Sequence, residues 1–332
     1  DRQRLPRRRD PVRAEKRYHL AERVAHRLAD LRGVVGRAPL DVKVGLLGDL
    51  DRAGAVARRM QDGGAKSQVA AMAMHAHHFA NERFAAVLDD LEEGHSVGPM
   101  VDGLLTAWAE FGNGRMSVAL EAFDDVAATN GVEAFGLYHK ALALAAVGDF
   151  EGADEILSGR DAGSMRLDRR GAIAHAQILS QLERNADAVA MLEDRFGVAT
   201  EPVLADIRTR LEAGETLSFD IVQSASDGAA EVFYTVAGAL NGDANDAYAL
   251  LYSRLAEVLR PDHIEAILIS AALLERLERY ELATDTYNRI PRDHPAFDSA
   301  EIGRAEALRR SGKTEAAIEV LEQLARARAE NP

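Results

Sequence analysis

The pattern of apolar and polar positions is most regular in residues 264–332, where one 34-residue arrangement occurs twice in succession. The corresponding positions are Ala271 and Ala305, Leu274 and Leu308, Tyr280 and Thr314, Ala283 and Ala317, Tyr287 and Leu321, and Ile290 and Leu324. The first two positions of each copy are three residues apart, and the last four step by three, four and three. These are the spacings of one helix face. A short break separates the two stripes, so each copy predicts a helix, a turn and a second helix.

A period of this length predicts a stacked array of helix pairs, because one pair alone cannot bury its apolar face. Turns with the same spacing extend the series toward the N-terminus. Further copies are predicted to begin near Val34, Gln68, Met100, Ala134, Arg169 and Ala230. The chain is therefore divided into a segment 1–33, repeats over 34–200, an insertion 201–229, and repeats over 230–332, of which 264–332 are the clearest.

The segment 201–229 interrupts the period, because the 61 residues from Arg169 to Ala230 are too many for one unit and too few for two. Its first part predicts a helix that begins at Pro202. Residues 214–219 predict a loop or extended chain. We therefore expect a bend or a change of superhelical register at this insertion.

The repeat resembles the tetratricopeptide repeat. Counted from Ile264 as position 1, Ala271 stands at position 8, where this family has a small residue, and Leu274 stands at position 11, where it has a large one. Tyr280 and Ala283 match its aromatic position 17 and its alanine position 20. The resemblance implies an all-α, right-handed α-solenoid in which the first helices of the units line a concave groove that binds proteins or peptides.

Beyond Gly33 the chain is also similar to the Ala-rich, uncharacterised tetratricopeptide proteins of alphaproteobacteria. Those proteins carry an N-terminal secretion signal, which favours the bacterial periplasm as the location, with the cytoplasm as the alternative. The first ten residues here have no apolar core of a signal peptide, and the chain begins with Asp1. We therefore expect a processed product or a fragment.

Composition excludes several classes of site. The chain has no cysteine, so neither disulfides nor thiolate metal sites can form. No run of about 18 apolar residues occurs, which predicts that no segment spans a membrane. The net charge is −14, although residues 1–33 hold 11 Lys and Arg against 5 Asp and Glu. An acidic body behind this segment argues against a nucleic-acid-binding surface.

The basic segment 1–33 allows two interpretations. A helix over about residues 14–31 would place Leu20, Val24 and Leu28 on one stripe, and its basic residues could bind an anionic partner. The alternative is a frayed, solvated helix or a terminus altered by fragmentation. At the other end, Ile318, Leu321 and Leu324 form an apolar stripe with no capping helix after it, so we expect further chain or another subunit to cover it.

Three histidines are the main candidates for metal chemistry. His75 and His78 are three residues apart on one predicted helix, with His77 between them and Glu82 one turn later, a spacing that could hold Zn²⁺ or Ni²⁺. No HExxH motif accompanies them, and no phosphate-binding glycine loop or nucleophile–base pair occurs elsewhere. The sequence therefore predicts no catalytic residue, no metal site and no cofactor.

The best candidate binding surface is the concave groove. Aromatic residues cluster at groove positions, and such residues dominate the energetics of many protein interfaces. The candidates are Trp108, Phe111, Phe135, Tyr138 and Tyr234. These residues could receive an amphipathic helix or an extended peptide, or they could be buried against the next unit of a tightly wound array.

The sequence as a whole predicts a non-catalytic scaffold or adaptor that binds a protein or peptide in this groove. The alternative is a structural subunit of a bacterial envelope assembly that docks through its exposed C-terminal end. The spacing predicts the fold, and the identity of the partner and the oligomeric state stay open.

Overall fold

The structure is a computed structural model that describes residues 50–64, 67–159, 168–197, 201–242 and 245–330. The basic segment 1–33 and the first helix of the unit near Val34 lie outside the described residues. Within the described ranges there are sixteen helices and no strand, which confirms the all-α prediction.

The helices follow one another in short-looped pairs. Their bounds are α1 Leu50–Asp62, α2 Gln68–Ala80, α3 Phe84–Glu92, α4 Pro99–Gly112, α5 Met116–Ala127, α6 Glu133–Ala146, α7 Phe150–Ser158, α8 Arg169–Gln181, α9 Asn185–Phe196, α10 Pro202–Glu212, α11 Ala225–Leu240, α12 Asp246–Leu259, α13 Ile264–Arg276, α14 Tyr280–Tyr287, α15 Phe297–Arg310 and α16 Thr314–Glu330. Except for α11, the first helix of each described pair begins within one residue of the start that the period predicts.

Each of these pairs turns at one fixed position of the repeat. Position 15 has a positive φ in every helix pair in which the structure describes that residue. The residues are Glu82, Gly114, Gly148, Glu183, Glu278 and Gly312, with φ between 54° and 87°. A helix end of this kind favours glycine, since a side chain is strained in the left-handed region. The turn is therefore set by backbone geometry, and three glutamates adopt it against their preference.

Small residues let the helices of a pair approach closely. Ala271 at position 8 and Ala283 at position 20 are fully buried, and their counterparts Ala305 and Ala317 are buried as well. Position 8 departs from this rule in α2, where His75 is buried and its Nε2 lies 2.8 Å from the carbonyl oxygen of His95. That hydrogen bond satisfies one polar atom of a side chain that replaces the usual alanine.

The segment 201–229 differs in two ways from a simple irregular insertion. Helix α10 begins at Pro202 as expected, and residues 213–224 run as turns and extended chain up to the start of α11. The next helix begins at Ala225, five residues before the start that the period predicts at Ala230. The difference arises because Ser224 caps this helix by accepting a hydrogen bond from the amide of Asp227.

Consecutive helices contact one another from α1 to α10 and again from α11 to α16, which is consistent with a helical repeat. One set of contacts joins distant parts of the sequence. Helix α11 packs against α2, α4 and α6, and α12 packs against α2. Most of the buried apolar residues therefore form one continuous core, and the last pairs add two small clusters of their own.

In the described ranges, none of the helices is both long enough and apolar enough to cross a membrane.

Replacing Glu278 with glycine should stabilise the protein, because the left-handed conformation costs a side-chain-bearing residue about 1 kcal/mol relative to glycine. Glu121 is an exposed residue inside α5 and serves as a matched control. Glu121→Gly should instead destabilise by about 1 kcal/mol, since it adds backbone freedom within a helix. Urea denaturation of both variants measures the two changes. Equal destabilisation by both substitutions would contradict the assigned turn.

Candidate functional site

Of the five aromatic residues proposed to line the groove, Trp108 and Tyr138 contact α11 and Tyr234 lies on it. Trp108 and Phe111 lie on α4, Phe135 and Tyr138 on α6, and Tyr234 on α11 itself. Trp108 is fully buried, Tyr138 and Tyr234 are almost fully buried, and the two phenylalanines are partly buried. The groove is therefore occupied by a helix of the same chain.

Helix α11 is seated closely on the indole of Trp108. A Cβ atom added at Gly228 would lie 2.1 Å from the Cδ2 atom of Trp108, so only glycine permits this approach. At the start of the same helix, the hydroxyl of Ser226 donates a 2.7 Å hydrogen bond to the carbonyl oxygen of Phe79 at the end of α2. These contacts fix the first turns of α11 against α2 and α4.

The indole is also surrounded by other rings. The centroids of Phe111 and Phe123 lie 5.2 Å and 5.3 Å from that of Trp108, both in edge-on arrangements. Its Nε1–H donates a 3.1 Å hydrogen bond to Nδ1 of His139. Because Nδ1 accepts, Nε2 carries the proton of the neutral ring. A tryptophan with its polar atom satisfied in this way is an interior residue.

The burial of Trp108, Tyr138 and Tyr234 favours the second interpretation of the sequence, in which the aromatic side chains pack inside the fold. Trp108, Tyr138 and Tyr234 contact their own chain, and the occupant of the groove is α11. The sequence left open whether the groove was free or packed, and in this structure it is packed.

A buried ionic cluster, formed by Tyr138, Arg170, Glu231, His263 and Glu265, lies beside the aromatic residues. Arg170 of α8 donates from Nε to Glu231 Oε2 at 2.8 Å and from Nη1 to Glu265 Oε2 at 2.8 Å. The hydroxyl of Tyr138 donates to Glu231 Oε1 at 3.0 Å. One guanidinium therefore connects α8 to both α11 and α13.

The ring of Tyr234 packs on this cluster, beside His263 and Arg170. Their ring centroids lie 4.7 Å apart, and the guanidinium of Arg170 lies 5.6 Å from the Tyr234 ring centroid. The amide of Ala266 donates to Nδ1 of His263, which places the proton of the neutral ring on Nε2, 3.4 Å from Glu231 Oε2. The proton of His263 therefore faces the carboxylate.

The electrostatics of the ionic cluster keep Glu231 charged. Burial alone would raise its pKa, but Arg170 and His263 outweigh burial and lower the pKa to about 2. The pKa of Glu265 is lowered too, again against burial and again chiefly by Arg170. Burial and the charge of Glu231 raise the pKa of Tyr138 well above 10. At neutral pH Glu231 and Glu265 are therefore ionised and Tyr138 is neutral, an arrangement that suits cross-linking of helices better than proton transfer.

The loop of the insertion packs onto α8 through polar contacts that the periodic pattern does not reveal. Gln177 donates to Asp220 Oδ1 at 2.7 Å and accepts from the amide of Asp220 at 3.1 Å. Ser180 Oγ accepts from the amide of Leu217, and Arg260 donates to the carbonyl oxygen of Asp220 at 2.8 Å. This loop therefore joins α8 to the end of α12.

The sequence interpretation missed Arg170, Glu231 and Glu265. A signal was present, because Glu231 stands in the otherwise apolar run Gly228–Phe233 and Arg170 stands in the Ala-rich helix α8. A lone charge on an apolar face requires a buried partner of opposite charge.

The histidines of α2 occupy separate environments. His77 lines a cleft of about 650 Å³ between α1, α2 and α3, and its Nδ1 lies 3.2 Å from Asp51 Oδ1. His78 is buried with Nε2 3.0 Å from both Arg58 Nη2 and Asp90 Oδ2. Among the described residues, the set of His75, His77, His78 and Glu82 does not bring three ligand atoms together.

No protein-family model matches the chain, and no curated protein matches it at a significant level. The tetratricopeptide resemblance therefore depends on the residues and spacings described above.

Replacing Gly228 with alanine should destabilise the protein by about 2 kcal/mol, because the new methyl group overlaps the indole ring of Trp108. Gly238 lies in the same helix with no atom within 4 Å of an added Cβ, and it is the matched control. Gly238→Ala should stabilise by about 0.5–1 kcal/mol through its helix propensity. Chemical denaturation measures both. Stabilisation by both variants would show that α11 does not rest on Trp108.

Titration of His139 should lower the free energy of unfolding in mild acid. Burial lowers its pKa from 6.5 to about 4, so between these values the unfolded chain binds a proton that the folded chain does not. This contribution to stability is complete above the unfolded pKa and is lost as the pH falls toward the folded pKa. The loss between pH 7 and pH 5 should be about 2 kcal/mol.

The matched variant is His139→Asn, which retains an acceptor for the Trp108 N–H and cannot titrate. The difference in unfolding free energy between the wild type and this variant, measured by urea denaturation at both pH values, isolates His139. A difference that does not change with pH would contradict a neutral, buried imidazole.

Proposed function

We propose that this chain is a non-catalytic tetratricopeptide-type scaffold that binds another protein through the apolar surface of α14, α15 and α16. The observation that carries the proposal is the exposure of Leu321 at a position that the preceding repeat buries, with Ile318 exposed one turn before it on the same helix. The surface formed by Leu282, Ile302, Ile318 and Leu321 is called the C-terminal apolar surface below.

The preceding repeat shows how exposed the side chain at position 24 is when another helix packs against it. Tyr287 and Leu321 both stand at position 24 of their units. Tyr287 is 8% exposed, and Gly303 of α15 lies so close that an added Cβ would be 2.6 Å from its ring carbon Cζ. Leu321 is 45% exposed and Ile318 is 52% exposed. A helix packed on α16 as α15 packs on α14 would cover both.

Exposed large apolar side chains are concentrated at this end of the described chain. Of seven such residues, Leu282, Ile302, Ile318 and Leu321 belong to the last three helices. A grouped set of this kind indicates an interaction surface more strongly than single exposed residues do. The groove between α2 and α6 is a weaker candidate for partner binding, because α11 occupies it.

The charges beside the stripe suggest the chemistry of the partner. Glu315, Glu319 and Glu322 are exposed on α16, and Glu322 alone pairs with Arg326 at 3.0 Å. An amphipathic helix with an apolar face and a basic rim would complement such a surface. The preferred partner is therefore a helical segment of another protein.

The tetratricopeptide assignment is supported by the left-handed residue at position 15 and by the buried alanines at positions 8 and 20. The non-catalytic assignment is supported by the arrangement of the strongly shifted groups. Arg170, Glu231 and Glu265 pair with one another inside the fold instead of lining a cleft. In functional sites such groups ordinarily face a substrate.

The test is capture of partner proteins by the immobilised chain and by the double variant Ile318→Glu/Leu321→Glu, followed by affinity measurement with the captured protein. Both side chains are about half exposed, so the variant should fold normally and bind the partner about tenfold or more weakly. The control is Val118→Glu/Val147→Glu, which alters apolar residues of similar exposure in α5 and at the C-cap of α6. It should bind like the wild type.

Equal affinity in all three proteins would contradict the proposal. Loss of binding only in the Val118→Glu/Val147→Glu control would place the interaction on another surface. Stable, stoichiometric capture of envelope components through Ile318 and Leu321 would favour the structural-subunit role over that of an adaptor.

A further inference from the structure

A carboxylate–imidazole cluster lies at the end of α3, and the sequence interpretation did not consider it. Asp90 stands in the last turn of that helix, and Glu93 and His95 stand in the turn that follows. His95 Nδ1 lies 3.7 Å from Asp90 Oδ1 and 3.9 Å from Glu93 Oε2. In the described part of the chain this is the one set of three such ligand atoms within 4.8 Å of one another.

The ligand atoms of this cluster converge without hydrogen bonds between them. Distances of 3.7 Å and 3.9 Å exceed those of a hydrogen bond. His95 Nδ1 is buried and has no hydrogen-bond partner. Asp90 is more than nine-tenths buried, and its Oδ1 atom faces that nitrogen. A buried carboxylate and a buried imidazole nitrogen in this arrangement favour a shared cation.

We propose that Asp90, Glu93 and His95 bind a divalent transition-metal ion such as Zn²⁺. One imidazole nitrogen and two carboxylate oxygens are common zinc ligands, and a fourth position could be filled by water. This proposal replaces the sequence-based prediction that the chain has no metal site.

The geometry requires only small movements. Tetrahedral zinc with bonds of about 2.0–2.1 Å places its ligand atoms about 3.3–3.4 Å apart. The His95–Asp90 separation must therefore shorten by a few tenths of an ångström. The side chain of Glu93 is 70% exposed and that of His95 is 25% exposed, so both can adjust. Asp90 is the fixed member of the set.

Two histidines of α2 lie next to the proposed ligands, on the buried side of the cluster. His78 Nε2 lies 3.0 Å from both Asp90 Oδ2 and Arg58 Nη2, and Asp90 Oδ1 is the carboxylate oxygen near His95. His75 Nε2 lies 2.8 Å from the carbonyl oxygen of His95 and so fixes the loop that carries this residue. Residues that orient ligands in this way contribute strongly to metal affinity. His75 is therefore a positioning residue of the site.

The location defines what the metal would do. The three ligands connect the C-terminal end of α3 to the loop that leads into α4. Helix α4 in turn contacts α11 through Trp108. A bound ion would hold this connection and neutralise the adjoining carboxylates. Because the ligands are close in sequence and exposed on one side, its role would be structural, with reversible binding.

The test is titration of the full chain with Zn²⁺ by calorimetry and with Co²⁺ by visible absorption, which reports the ligand geometry. We expect one site, and we expect His95→Asn and Glu93→Gln each to weaken binding by about tenfold or more. The control is His77→Asn, which removes a neighbouring histidine paired with Asp51 and should leave the affinity unchanged.

Two results would overturn the proposal. One is the absence of Zn²⁺ and Co²⁺ binding by the wild type. The other is an unchanged affinity in both His95→Asn and Glu93→Gln, which would assign any bound ion to other residues. Melting curves recorded without metal show whether each variant is folded. We expect the curves of both variants to match that of the wild type, because both side chains are partly solvent-exposed. A variant that fails this control is replaced in the test by the other one.

Discussion

The buried pair of Arg170 and Glu231 is the interaction on which the arrangement of this chain depends. It joins α8, on one side of the insertion, to α11, on the other, and Glu265 extends the same guanidinium contact to α13. Neither charge can be left alone in the interior, because an unpaired buried charge costs several kcal/mol. The pair therefore selects the one docking of α11 in which the hydroxyl of Tyr138 also reaches Glu231.

The sequence predicts the local structure of this fold well, because hairpins leave a periodic signal. Ala271 and Ala283 mark helix contacts, and the turn at position 15 recurs at a fixed spacing. The return of α11 to α2, α4 and α6 was not predicted, since it depends on contacts between residues that are 93 to 147 positions apart. The sequence places Tyr138 and Tyr234 at groove positions, but single-chain periodicity cannot show whether those positions face solvent or another helix.

The packing of α11 against α2, α4 and α6 changes which surface is the best candidate for partner binding. In an open array the first helices offer a continuous groove, whereas here α11 fills the part between α2 and α6. The C-terminal apolar surface then becomes the better candidate, because Leu321 is exposed at a position whose counterpart one repeat earlier, Tyr287, is buried. The cluster of Asp90, Glu93 and His95 was missed for a related reason. Its members combine a helix end with a loop, so no helical spacing connects them.

The central claim is that α11 lies in the groove in solution, and Trp108 offers the most direct measurement because it is the only tryptophan of the chain. Its fluorescence should have the short-wavelength emission of a buried indole, and acrylamide should hardly quench it until the protein unfolds. Long-wavelength emission from the folded protein, with quenching close to that of the unfolded chain, would show an open groove and contradict this account.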